Sequence, residues 1–210
     1  MVASASRLPQ LERAHRRLLD KHLLTAEEDA VSVLLPGTGR MLFRARNDHE
    51  ARELALEAGT GTAALHGRVY RIRPDAGAVA SVSTATSAEL GRSRVRVPIV
   101  FDEQARHIGE AWSDVTAGEL ASVLVSGANA GVVDGRFLLV GVTPNRMVFN
   151  AELFEKSAHA YLLARGSTGR HTHLVPWWVR LIAGRRLRRD QQNAATHHRA
   201  GNEAPELVAY

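Results

Sequence analysis

Apolar residues recur along this chain with two different periods, and together these periods predict interleaved helices and strands. Leu8, Leu11 and Leu18 lie three to seven positions apart near the N-terminus, which predicts a first helix that ends near Leu23. Short apolar runs bounded by turn residues are typical of strands. Such runs predict strands at 31–35, 41–43, 76–82, 97–101, 121–125, 131–133 and 137–142.

Helix signals fill most of the intervals between these runs. Asn47 and Glu50 have the spacing of a helix cap, and Thr143 with Pro144 forms a second good start signal. Helices are predicted at 47–57, 65–72, 103–111, 143–166 and from 176 onward. The alternation predicts one α/β/α layered domain over residues 1–192, and the polar segment 193–210 is expected to be a loose tail.

Composition narrows the chemistry more than it narrows the fold. The 210 residues include no cysteine, which excludes disulfides, thiolate catalysis and cysteine-ligated metal sites. Lys21 and Lys156 are the only lysines, and both have the setting of solvated helix residues, so imine-forming catalysis is not expected. No apolar run reaches the length of a bilayer span, and the N-terminus lacks a secretory signal, so we expect a cytoplasmic protein without a membrane partner.

Three segments in a fixed order resemble the class II aldolase/adducin family. They read LPQLERAHRRLLDKHLL at 8–24, LHGRVYRIRPDAGAVASVSTA at 65–85, and LASVLVSGANAGVVDGRFLLVGVTPNRMVFNAELFEKSAHAYLLA at 120–164. The resemblance implies a three-layer α/β/α domain with a central mixed, largely antiparallel sheet. It also implies zinc-dependent lyase chemistry and a homo-oligomer, often a tetramer with active sites between subunits.

The departures from that family fall on its functional positions. Ser81 and Ser83 replace the His-x-His pair of zinc ligands, and the third ligand position reads Asn129 or Ala130. Thr62 replaces the catalytic carboxylate, four residues before the helix histidine. Serine hydroxyls do not hold a divalent cation alone, so no metal and no cofactor are expected.

The polar residues that remain are the candidate site. His66 and Tyr70, four apart on one helix, are candidates for proton transfer, although a buried structural role suits each of them as well. The substrate loop of the family at 29–34 keeps only Ser32. Candidate substrate-binding residues are Ser32, Thr62, Ser81, Ser83, Asn129, His171 and His173.

Two further features of the C-terminal third have weaker functional interpretations. His171 and His173 have no third ligand at a recognisable spacing, so closing a pocket, across a subunit boundary, is the favoured role over metal binding. The sequence has a formal charge of +5 and a pI of about 10.3. An arginine cluster lies at positions 180, 185, 186, 188 and 189, but it matches no nucleic-acid motif and is interpreted as a solvated or interface face.

These features lead to one functional hypothesis and one alternative. The leading hypothesis is a metal-independent lyase or cyclase of small-molecule, specialised-metabolite biosynthesis that acts on a carbonyl substrate by acid/base and hydrogen-bond chemistry. Decarboxylation, dehydration, cyclisation and retro-aldol cleavage are the candidate reactions. The alternative is a non-catalytic binding or scaffold protein with the same fold, as adducin-like relatives imply.

Overall fold

A computed structural model describes residues 2–168 and 174–206. The helices in these residues are α1 Val2–Asp20, α2 Gly61–Ile72, α3 Ala85–Ser93, α4 Asp102–His107, α5 Leu120–Leu124, α6 Pro144–Thr168 and α7 Trp177–Arg199. The strands are β1 Ala30–Leu35, β2 Arg40–Ala45, β3 Arg52–Ala55, β4 Ala78–Val82, β5 Trp112–Val115, β6 Ala130–Val133 and β7 Arg136–Gly141. None of the described helices is both long enough and apolar enough to cross a bilayer.

The strands form a single seven-stranded sheet in the order β3-β2-β1-β4-β7-β6-β5. Every neighbouring pair is antiparallel except β5 and β6, which are parallel. Side chains alternate between the two faces of each strand, so the central strands contribute to two cores. Ala80 and Val82 pack with α1 and α6 on one face, whereas Val79 packs with α2 on the other. The expected α/β/α layers and mixed, largely antiparallel sheet are thus confirmed.

Three predicted elements have a different structure. Residues 52–55, expected in a helix, form β3, which pairs with β2 at the edge of the sheet. The expected strand at 121–125 is instead α5, in which Leu120 and Leu124 are buried one helical turn apart. Val97 and Ile99 are buried as expected but lie in an extended segment outside the sheet. Short apolar runs do not distinguish a strand from a buried helical turn, which explains the error at 121–125. The helix at 47–57 was predicted from the cap spacing of Asn47 and Glu50, and pairing with β2 overrides that local signal.

The polar segment after Asn193 also differs from the expected loose tail. It continues α7 to Arg199 and buries Ala194 and Ala195. The chain then returns to the N-terminal helix, where Glu203 forms an ion pair of 3.1 Å with the buried Arg7. Up to residue 206 this segment is therefore part of the domain.

The Arg73-Pro74-Asp75 segment joins α2 to β4 through a buried ion pair. The Arg73 guanidinium donates to both carboxylate oxygens of Asp75, at 2.8 and 2.6 Å. It also donates to the Ala128 carbonyl and to Asn129 Oδ1, which ties this turn to the start of β6. The most distinctive part of the family-like sequence therefore has a structural role.

We expect Arg73→Ala to destabilise the fold strongly, because it leaves the Asp75 carboxylate buried without its partner. The expected loss in free energy of unfolding is about 3–5 kcal/mol, measured by urea denaturation. Arg92→Ala is the matched control, since Arg92 pairs with Glu89 on an exposed face of α3 and its loss should cost under about 1 kcal/mol. Equal effects of the two substitutions would contradict this assignment.

Candidate functional site

The candidate site lies where the carboxyl end of β4 meets α2. Ser81 is the fourth of the five residues in β4 and is buried, while Ser83 follows the strand and is half-buried. Ser81 points toward α2, because its hydroxyl contacts His66, whereas Ser83 lies beyond the strand and its hydroxyl contacts Asp29. Of the two positions that resemble the His-x-His pair, Ser81 thus lies beneath α2, which carries His66 and Tyr70.

Four buried side chains form a continuous chain of hydrogen bonds under α2. His66 Nε2 lies 2.9 Å from Ser81 Oγ, and His66 Nδ1 lies 2.9 Å from Ser32 Oγ. Ser32 Oγ also lies 2.9 Å from the Tyr70 hydroxyl. The Phe43 ring packs edge-on against the imidazole. Each hydroxyl can donate or accept, so the chain satisfies both nitrogens of the imidazole in either neutral tautomer.

Burial determines the charge of the His66 and Tyr70 side chains. Burial, and after it the positive charge of Arg136, lowers the pKa of His66 from its ordinary value of 6.5 to about 3. Burial also raises the pKa of the Tyr70 hydroxyl. At neutral pH both groups are therefore uncharged, and His66 is a weak base. The arrangement suits a relay, in which one ring nitrogen gains a proton while the other releases one to a serine.

A second set of polar groups surrounds the end of β4. Asp29 is fully buried, and one carboxylate oxygen accepts from Ser83 Oγ at 2.7 Å. Its other oxygen accepts from the backbone amides of Thr25 and Ala26. Asp29 therefore fixes the orientation of the Ser83 hydroxyl, a role that the sequence alone did not indicate.

Thr62 connects the start of α2 to the β6–β7 hairpin. Its hydroxyl donates to the Glu28 carbonyl at 3.0 Å and accepts from Arg136 Nη1 at 3.3 Å. Arg136 was not among the predicted residues. The sequence feature that indicates its position is Asp134-Gly135. These residues form a two-residue hairpin turn, and both have positive φ, at 49° and 74°. That turn places the next residue, Arg136, beside the carboxyl end of β4.

The predicted residue Asn129 does not lie with the two serines. Its carbonyl accepts from the Val140 amide, and Val140 pairs with Val79 near the start of β4. Its side chain bonds Arg73, Gln191 and the His107 carbonyl. Ala130, the other candidate for the third ligand position, faces the core against α6. The hairpin at 134–136 occupies the expected place of both residues.

The remaining sequence candidates lie elsewhere in the chain. His171 and His173 lie outside the described residues. The arginines at 185, 186, 188 and 189 are exposed on α7, and Arg180 is half-buried beside Glu110. The same helix exposes the apolar side chains of Trp177, Trp178, Leu181 and Ile182.

The donor groups do not fit the zinc ion that this fold implies. Within residues 2–168 and 174–206, no three His, Cys, Asp or Glu side chains come together in a way that could hold a metal ion. The two strand positions carry hydroxyls, His66 is bonded at both nitrogens, and Asp29 is bonded at both oxygens. The described residues of this site therefore provide no set of ligands for zinc.

The lowered pKa of His66 predicts how stability depends on pH. In the unfolded chain His66 is protonated below its ordinary pKa of 6.5, whereas in the fold it stays neutral down to about 3. The unfolded state therefore binds more protons in this window, so the free energy of unfolding should fall as pH drops from 6.5 toward 3. Urea denaturation between pH 7 and 4 should show a shallower loss for His66→Asn than for the unmodified chain. Parallel pH profiles, or a histidine NMR titration of His66 near 6.5, would contradict the burial described.

Several solved structures share this fold. An L-fuculose 1-phosphate aldolase matches with a TM-score of 0.75 and 14% identity, over 88% of this chain and 97% of that one. YgbL from Escherichia coli matches with a TM-score of 0.71 and 15% identity, over 88% and 100%. An aldolase II superfamily protein from Pseudomonas syringae matches with 0.66 and 13%, over 93% of each chain.

Sequence comparison adds nothing to this likeness, since neither a family model nor a curated protein sequence matches the chain. At these identities the structural likeness establishes the fold and leaves the chemistry to the residues of the site. The chain has the class II aldolase fold, and its structural neighbours are members of the class II aldolase superfamily.

Proposed function

We propose that this protein is a metal-independent lyase or cyclase that acts on a small carbonyl compound in the cytoplasm, in a specialised biosynthetic route. The observation that carries the proposal is the replacement of the metal-binding positions by a connected polar site and not by apolar side chains. A buried hydroxyl–imidazole chain lies beneath the half-buried Ser83 and Arg136. Buried polar groups are costly to keep, which favours a role for them beyond packing.

The candidate reactions share one electronic requirement. In decarboxylation, retro-aldol cleavage, dehydration and enolate cyclisation, a bond beside the carbonyl breaks and its electron pair moves to the carbonyl oxygen. The oxygen gains negative charge, which positioned hydrogen-bond donors stabilise. The Arg136 guanidinium is the donor proposed here, because the one proton of the Ser83 hydroxyl is already donated to Asp29. The chain from Ser81 through His66 to Ser32 and Tyr70 would redistribute protons without holding a charge.

A non-catalytic binding protein is the second candidate, and one observation favours it. Both nitrogens of His66 are satisfied and the ring is fully buried, which is also how a structural histidine is held. The two candidates differ in whether a carbonyl compound is turned over, so the test measures turnover.

We expect the purified protein to catalyse exchange of α-protons of carbonyl probes with solvent deuterium. Suitable probes are acetoacetate, hydroxyacetone and dihydroxyacetone phosphate, followed by proton NMR in D2O. Because the proposed chemistry needs no metal, exchange should be unchanged after dialysis against a chelator. Arg136→Met should lower the rate about 10²-fold or more through loss of an oxyanion donor. Exchange that requires added Zn²⁺ would refute metal independence, and no exchange with any probe would favour the binding protein.

We also propose that the chain forms a homo-oligomer, with a tetramer favoured. The exposed side chains of Trp177, Trp178, Leu181 and Ile182 form an apolar patch on α7, and such patches are typical of contact surfaces. The neighbouring arginines are also typical of interfaces.

Light scattering tests this assembly directly. The expected mass is a multiple of the 22.9 kDa chain mass, with four copies favoured. Because it introduces two charges into the patch, the double substitution Trp178→Glu with Ile182→Glu should lower that mass, whereas Val125→Glu, at an exposed residue elsewhere, should not. A 22.9 kDa species for the unmodified chain at all concentrations would contradict the proposal.

A further inference from the structure

We propose that Arg136 is the anion-binding residue of this site and that it selects a substrate carrying a carboxylate beside its carbonyl group. This inference rests on the proposed function, because it assigns a substrate class to the same site. The positive charge of the guanidinium would then stabilise the negative charge of the substrate, a role that the resemblance assigns to a metal ion.

The hairpin between β6 and β7 fixes where Arg136 lies. Val133 pairs with Arg136 across the two-residue turn, so the arginine is the first residue of β7. Val82 pairs with Phe137, which places Arg136 at the register position facing Ser83, one residue beyond the last pair of this ladder. The Arg136 side chain lies on the α2 side of the sheet, because its guanidinium contacts Thr62 of α2.

The bonding of Arg136 leaves most of its donors uncommitted. A guanidinium carries five N–H donors, and the one bond described for Arg136 runs from Nη1 to the neutral Thr62 hydroxyl at a long 3.3 Å. No carboxylate among the described residues forms an ion pair with it. Buried Arg73, by contrast, is bonded to a carboxylate, a carbonyl and an amide oxygen.

The surroundings of Arg136 also favour an anion. The side chain is half-buried, so part of its hydration is already lost. Its neighbour Thr62 is uncharged and the imidazole of His66 is held neutral, so the charge of the guanidinium is not balanced by either group. The nearby Asp29 carboxylate is already engaged by Ser83 and two backbone amides.

The shape of the guanidinium indicates which anion fits. Its planar fork matches the two oxygens of a carboxylate through paired hydrogen bonds. A carboxylate bound in this way would hold the adjoining carbonyl at the end of β4, within reach of the remaining N–H groups of the same guanidinium. Small 2-oxo acids have this arrangement of groups, and they are the substrate class we infer.

Titration with oxalate, a small anion with two adjoining carboxylates, tests the assignment without turnover. Calorimetry should show oxalate binding to the unmodified chain and binding about 10- to 100-fold weaker in Arg136→Met, the range expected for loss of a charge-assisted hydrogen-bond pair. Arg136→Lys should recover part of the affinity, because it keeps the charge and loses the fork. Arg92→Met, on an exposed face of α3, is the control for a general loss of positive charge and should bind as the unmodified chain does.

Inorganic phosphate, titrated in parallel, separates a carboxylate site from a general anion site. Oxalate binding that survives Arg136→Met, or phosphate bound more tightly than oxalate, would overturn the inference. Circular dichroism of each variant confirms that the fold is intact. The inference and the proposed function fail differently. Arg136-dependent oxalate binding without deuterium exchange would refute only the enzyme. Exchange that persists in Arg136→Met would refute the anion site and the choice of oxyanion donor, but not the enzyme.

Discussion

The hydrogen bonds on the two nitrogens of His66 are the constraint on which the rest of this site depends. A fully buried imidazole is stable only when each nitrogen has a partner, and here both partners are serine hydroxyls. Ser81 must therefore keep a side chain that can both donate and accept, and Ser32 must do so while also meeting Tyr70. The same bonds fix α2 against β1 and β4, so the site and the sheet are held by one set of contacts.

This constraint explains how the fold accommodates serines where it resembles metal-binding enzymes. Neutral hydroxyls and a neutral imidazole can be enclosed together at a modest cost, because no charge has to be buried with them. The charged side chains of this region lie around the hydrogen-bonded serines, His66 and Tyr70 instead. Asp29 is balanced by amides and the Ser83 hydroxyl, and Arg136 stands at the hairpin beside them. The reaction is thus expected at the carboxyl end of β4, and the buried hydrogen-bonded side chains would hold the site in place.

The sequence predicted the layers of this fold but not the position of every site residue. Periodicity located α1, α2, α6 and the strands β1, β2, β4, β6 and β7, because each has one apolar face or a continuous apolar run, whereas β5 was not predicted. The placement of His66 and Ser81 in one site followed from the family-like order of segments. The third ligand position was read as Asn129 or Ala130, and Asn129 lies near the start of β4, away from the two serines.

Contacts between residues that are distant in sequence also could not be predicted. Asp29 lies 54 residues from the serine that it orients, and Arg136 lies 74 residues from Thr62. Neither pair leaves a periodic signal, since each depends on which strands are neighbours in the sheet. The turn residues Asp134-Gly135 were the one local sign of where Arg136 would lie, and the strand order was needed to show that this turn adjoins β4.

Metal analysis of the purified full-length protein is the most direct test of the central claim, that this class II aldolase fold works through hydroxyl, imidazole and guanidinium groups. The protein would be prepared in zinc-supplemented medium, dialysed without chelator and measured by elemental mass spectrometry. The account predicts zinc far below one equivalent per chain, with Ser81→His plus Ser83→His raising the content. One equivalent retained by the unmodified chain, and lost in Ser81→Ala plus Ser83→Ala, would contradict it.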